Sequence, residues 1–142
     1  MTDPRATVVF DGLQAQYATY KIDGTTISYL ATAVGGSASV GLAVKMSTDD
    51  TVILTTDGSD VEGKLITVES DNMATVQVGG YCTLPGGNGA ALTLGKKIVG
   101  AVNAQSAGGY IREVATATAA ELGLCRGAII NNDTTTAVVV RL

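Results

Sequence analysis

Lys96 and Lys97 form the most chemically suggestive cluster in this chain, standing directly after Gly95 at the end of a glycine-rich stretch. A phosphate-binding loop needs Gly-x-x-x-x-Gly-Lys followed by Ser or Thr, because backbone N–H groups cradle the phosphates and the hydroxyl holds magnesium. Here Ala90 stands at the first glycine and Lys97 at the hydroxyl position, so both the opening turn and the metal ligand are missing. A dinucleotide fingerprint starts at Gly87 and Gly89 but meets Leu92 where its third glycine belongs. An enzyme reading would use Lys, Asp or a cysteine thiolate: the like charge of one lysine would lower the pKa of the other, and a deep pocket lined by Lys96, Glu69 and Cys82 would favour it. The competing reading is a solvated strand end.

Residues 68–76, Val-Glu-Ser-Asp-Asn-Met-Ala-Thr-Val, resemble the hairpin on which lipoyl carrier domains present their modified lysine, but Asn72 occupies the lysine position. An amide cannot be acylated as an amine can, so only the hairpin remains. The chain has no histidine, which removes the commonest general base and the commonest transition-metal ligand together. Glu121 has no second carboxylate near it in sequence; it stands three residues after Thr118, at capping-box spacing, so capping is the better reading. Cys82 and Cys125 lack the CxxC spacing of metal ligands and read as free thiols in apolar surroundings. Neither metal nor cofactor is expected.

With 142 residues the chain is long enough for a single domain that buries about two-thirds of its unfolded surface. Charged residues make up 15% of it, against about 25% in ordinary soluble domains, while 18 residues are glycine and 46% are hydrophobic. So little charge implies that part of the surface is normally covered by a partner or by other copies. The net charge of −4 and scattered basic residues argue against nucleic acid as a partner. The N-terminal residues show neither a signal peptide nor a membrane span, which places synthesis in the cytoplasm.

Short β-branched runs separated by Gly, Asn and Asp predict many strands. They are expected at residues 7–10, 17–22, 26–30, 41–46, 52–55, 63–69, 74–79, 98–102, 110–114, 127–130 and 137–142. Turns are expected at Asp23-Gly24, Asp57-Gly58, Asp71-Asn72 and Asn131-Asn132-Asp133. This spacing fits a mainly β fold, a small barrel or sandwich, with one short helix over residues 118–123 that Gly123 would stop in the left-handed conformation. Residues 11–36 read as an N-terminal hairpin region that Gly35-Gly36-Ser37 divides from a β-rich core over 37–142.

Two segments are candidate contact sites. Residues 1–10 read as an extended arm, with Pro4, Thr7, Val8, Val9 and Phe10 as its contact residues. Burying the last three is worth about 1.5–3 kcal/mol per side chain, and an arm that adds to a neighbour's sheet edge would achieve it. Residues 84–90 are too glycine-rich for a strand interior and read as an exposed loop, with Pro85, Gly86, Gly87, Asn88 and Gly89 as candidate contacts.

From Gly41 onward the sequence resembles the head-decoration, or capsid cement, proteins of tailed bacteriophages. The resemblance is carried by Gly41-Leu-Ala-Val-Lys-Met-Ser, Thr51-Val-Ile-Leu with Asp57-Gly58, and Gly63-Lys-Leu-Ile-Thr-Val-Glu69. It continues in Val76-Gln-Val-Gly-Gly80, Leu84-Pro-Gly-Gly87, Gly95-Lys-Lys-Ile-Val-Gly100, Gly109-Tyr-Ile-Arg112 and Thr134-Thr-Thr-Ala-Val-Val-Val140. It implies a non-enzymatic, homotrimeric virion protein that binds major capsid protein on the outside of an icosahedral head after assembly in the host cytoplasm. The rival is a surface binding module for a glycan or receptor that uses the glycine-rich loop. Sugar-binding sites favour exposed aromatic rings, and only Tyr81 lies near that loop.

Overall fold

In the computed structural model, residues 13–87, 92–114, 119–134 and 137–142 are described. The chain is mainly β. Five strands form a closed barrel: β1 (Gln16–Ile22), β2 (Ala43–Thr48), β3 (Thr51–Leu54), β4 (Gly63–Val68) and β5 (Met73–Gly79). Their order around the barrel is β1-β3-β2-β4-β5, with β5 returning to β1. All contacts are antiparallel except β1 with β3, whose parallel seam carries only Lys21 opposite Thr51 and Ile22 opposite Val52.

The remaining strands are β6 (Tyr81–Leu84), β7 (Ile98–Ala101), β8 (Tyr110–Glu113), β9 (Ala128–Thr134) and β10 (Ala137–Arg141). β10 lies between β6 and β9, and β7 pairs with β8. Among the described residues a single α-helix, α1 (Ala119–Leu124), precedes β9. Isolated bridges from Gly86 to Ile111 and from Ile98 to Arg126 tie these small sheets together.

Strand alternation builds two cores. The barrel interior holds Ile27, Val44, Val52, Leu65 and Val76, all fully buried. A second core between the barrel and the small sheets holds Leu84, Ile98, Ile111, Ile129 and Val138. Successive side chains on a strand face opposite ways, and β2 uses this directly: Val44 fills the barrel while its neighbour Ala43 fills the second core. β2 is therefore a wall shared by both.

Several local expectations are corrected. Residues 26–30 form no strand, because the Asp23 carboxylate takes the N–H groups of Thr25, Thr26 and Ile27 and holds them in bends. β1 accordingly has no hairpin partner there and instead closes the barrel. β6 was absent from the expected strands, and Asn131-Asn132-Asp133, expected to turn, lies inside β9. Helix α1 runs through Gly123, which has no positive φ, and the Cys125 N–H reaches the Glu121 carbonyl at 2.9 Å. Thr118 and the expected strand at residues 7–10 lie outside the described residues. Asp71-Asn72 does turn the β4–β5 hairpin, with Asn72 at φ 63.

The link from β1 to β2 is pinned onto the barrel by glycine. Gly36 has φ 86, and a Cβ there would lie 1.9 Å from the Val68 carbonyl oxygen, whereas Gly24 at φ 76 has nothing within 4 Å. Gly24→Ala should therefore cost only its left-handed strain, about 1–2 kcal/mol. Gly36→Ala should cost clearly more, because the backbone must also move; thermal melts of the two variants compare them directly.

Candidate functional site

Two arginines hold junctions between elements in this fold. Arg112 on β8 donates from Nε to Asp57 Oδ1 at 2.9 Å and from Nη1 to Glu121 Oε2 at 3.1 Å, while its Nη2 pairs with Glu121 Oε1. This fork ties α1 and the β3–β4 turn to β8, and the hydrogen bonds to Glu121 lead in raising the Arg112 pKa against burial. Glu121 thus serves as an ion-pair partner in addition to any role near the helix start.

A second junction centres on Arg126, between α1 and β9. Its Nη1 donates to the carbonyls of Val61 at 3.2 Å and Glu62 at 2.8 Å, and its Nη2 to Val78 at 2.8 Å. Close by, the Tyr20 hydroxyl donates to Glu62 Oε1 at 2.7 Å. That bond, then burial and the Glu62 charge, pushes the Tyr20 pKa up to about 12 against the opposing pull of Arg126. An open cavity of about 610 Å³ lies beside Arg126, with Gln14, Gln16, Arg141 and Leu142 among its walls.

The lysines, Glu69 and Cys82 do not line one pocket. Lys96 and Lys97 are exposed on the turn before β7, Glu69 is exposed at the β4–β5 turn, and Cys82 is buried in the second core. Cys82 and Cys125 are both free thiols. Among the described residues no group of three His, Cys, Asp or Glu side chains is arranged to hold a metal ion, and no helix is long and apolar enough to cross a membrane.

The two candidate contact segments fare differently. Pro4, Thr7, Val8, Val9 and Phe10 lie outside the described residues, which begin where the Leu13 carbonyl accepts the Tyr81 N–H at 2.9 Å. The exposed loop expected over residues 84–90 is corrected in its first half: Gly86 and Gly87 are buried. The Gly87 N–H donates to the Ile111 carbonyl at 2.8 Å, and the Ile111 N–H to Pro85 at 3.0 Å. A Cβ on Gly87 would sit 2.6 Å from the Val102 carbonyl oxygen, so this glycine serves close packing against β7 and β8. Asn88 and Gly89 lie outside the described residues.

Sequence reasoning missed the most exposed apolar group. Tyr29, Leu30 and Val34 project from the β1–β2 link, with Val34 at 92% exposure. The legible signal was the charge pattern: from Gly24 to Val44 no residue is Asp, Glu, Lys or Arg. Leu122 and Leu124 on α1 form a smaller exposed pair. Comparison with known protein families and with curated proteins finds no match to either.

The anchor of the β1–β2 link makes a pH prediction. Burial pushes the Asp23 carboxyl up, but the N–H groups of Thr26 and Ile27 and the hydroxyls of Thr25 and Thr26 outweigh it and lower the pKa from 3.8 to about 2. The folded value lies below the unfolded one, so the unfolded chain binds more protons and the stabilisation is complete above 3.8. It is lost as pH falls through about 2. Asp23→Ala should cost about 0.5–2 kcal/mol at neutral pH, as cap removals do. Urea midpoints of variant and wild type should converge as the pH approaches 2.

Proposed function

We propose that this chain is a structural virion protein of the capsid-cement kind. It binds the outer surface of an icosahedral phage head and bridges neighbouring major capsid subunits, and it performs no catalysis. The observation that carries this reading is the resemblance running from Gly41 to Val140. The runs that carry it coincide with working parts of the fold: Gly41-Leu-Ala-Val-Lys-Met-Ser supplies the shared wall β2, and Leu84-Pro-Gly-Gly87 supplies the packed link onto β8.

The physical character of the molecule supports the same reading. A small barrel with little charge and several exposed apolar side chains suits close packing on a lattice, and its acidic balance suits the outside of a DNA-filled shell. The partners are major capsid protein and further copies of this chain as a homotrimer, without nucleic acid or membrane. Linked copies make each later contact intramolecular, so avidity rises by orders of magnitude over a single weak contact. Preferential binding to the expanded lattice would stabilise that lattice by linkage.

Purified protein should bind undecorated heads and raise their disruption temperature, measured by sedimentation and by thermal release of DNA; heads that neither bind it nor gain stability refute the reading. Deletion of residues 1–10 should weaken head binding while leaving the number of copies in the oligomer, read by light scattering, unchanged.

A further inference from the structure

The apolar knob on the β1–β2 link is held rigidly. The Leu30 N–H donates to the Gly36 carbonyl at 2.8 Å, the Ala33 N–H to Leu30 at 3.0 Å, and the Gly36 N–H to Ala33 at 3.0 Å. Fully buried Ile27 anchors one side of the loop in the barrel, and buried Ser37 anchors the other. Gly35 and Gly36 lie so close to β4 that a Cβ on either would press on the Ile66 or Val68 carbonyl oxygen. On this fixed base stand Tyr29 at 39%, Leu30 at 49% and Val34 at 92% exposure. A loop that needed only to connect two strands would have no reason to fix three apolar side chains in water.

We propose that Tyr29, Leu30 and Val34 form a homomeric interface, in which the knobs of neighbouring copies pack on one another about a rotation axis. Charge identifies a second copy as the occupant. Each chain carries a net charge of −4, so copies repel over most of their surface. Near a rotation axis every residue meets its own counterpart, and any charge there would face an identical charge. The segment from Gly24 to Val44 has none. Another long uncharged segment, from Asn72 to Gly95, runs through the barrel and the second core in β5 and β6 and, among its described residues, exposes one large apolar side chain, Leu94 at 62%. The knob, with three exposed apolar side chains and no charge along its segment, is therefore a place where copies approach without that repulsion, and its ordered backbone leaves little conformational entropy to lose on contact.

The inference rests on the self-association part of the proposed function and not on head binding, so it is tested on the isolated protein. Light scattering should give wild type a mass that is a multiple of 14.3 kDa and give Val34→Asp the mass of one chain, with unchanged far-UV circular dichroism. Leu122→Asp, an equally drastic change at another exposed leucine, should keep the wild-type mass. In a Cys125→Ser background, Val34→Cys with oxidised glutathione should give a reducible covalent dimer, since the paired Cα atoms must come within about 7 Å. A monomeric wild type overturns both self-association and the knob interface. An oligomer that Val34→Asp leaves intact, or that Leu122→Asp dissolves instead, overturns the knob interface alone, and so does failure of Val34→Cys to cross-link.

Discussion

Arg126 fixes how the two cores of this molecule sit against each other. Its guanidinium reaches into the barrel side and satisfies the carbonyls of Val61, Glu62 and Val78, while its own backbone exchanges hydrogen bonds with Ile98 of β7 in both directions. One residue thus joins the β4 approach, β5 and the β7–β8 sheet. Arginine suits the position because its planar fork stays charged and presents several donors in fixed directions. A neutral replacement would leave three carbonyl oxygens without these donors at the boundary between the cores. Tyr20 and Glu62, hydrogen-bonded to each other beside it, extend the polar seam towards β1.

Around that seam the rest of the chain follows from close approach. Where the β3–β4 connection crosses β7, the Gly58 N–H donates to the Gly100 carbonyl and the Gly100 N–H to the Ser59 carbonyl. Thr55 turns its hydroxyl towards Tyr110 and Gly109 and pins the approach to β8 onto β3. Glycines at these crossings leave room that a side chain would fill, which accounts for much of the chain's high glycine content. The same need explains why Leu84, Gly86 and Gly87, in a stretch that looks like a loop on composition, are buried.

The barrel was legible because its strands alternate cleanly and its turns carry explicit chemistry, as at Asp57-Gly58 and Asp71-Asn72. β6 was hidden because Gly79 and Gly80 directly before it read as the end of one strand and the start of a loop. Residues 26–30 misled for the opposite reason. Thr26, Ile27 and Tyr29 have the propensity of a strand, but one carboxylate at Asp23 captures the backbone donors that a ladder would use. Asn131-Asn132-Asp133 has turn composition yet pairs along β10, where tertiary pairing overrides local preference. Of the candidate site, free thiols and scattered lysines could be read from the residues alone. The exposure of Val34 could not, because it depends on a packing arrangement that only the closed barrel supplies.

The placement of β1 has a mechanical consequence. Along residues 16–21 it lies antiparallel to β5, whereas it touches β3 only at Lys21 and Ile22. Hydrogen bonds in an antiparallel pair run perpendicular to the strands. Tension applied along the axis of β1 would therefore load that whole row of bonds at once, in shear, instead of peeling them one after another.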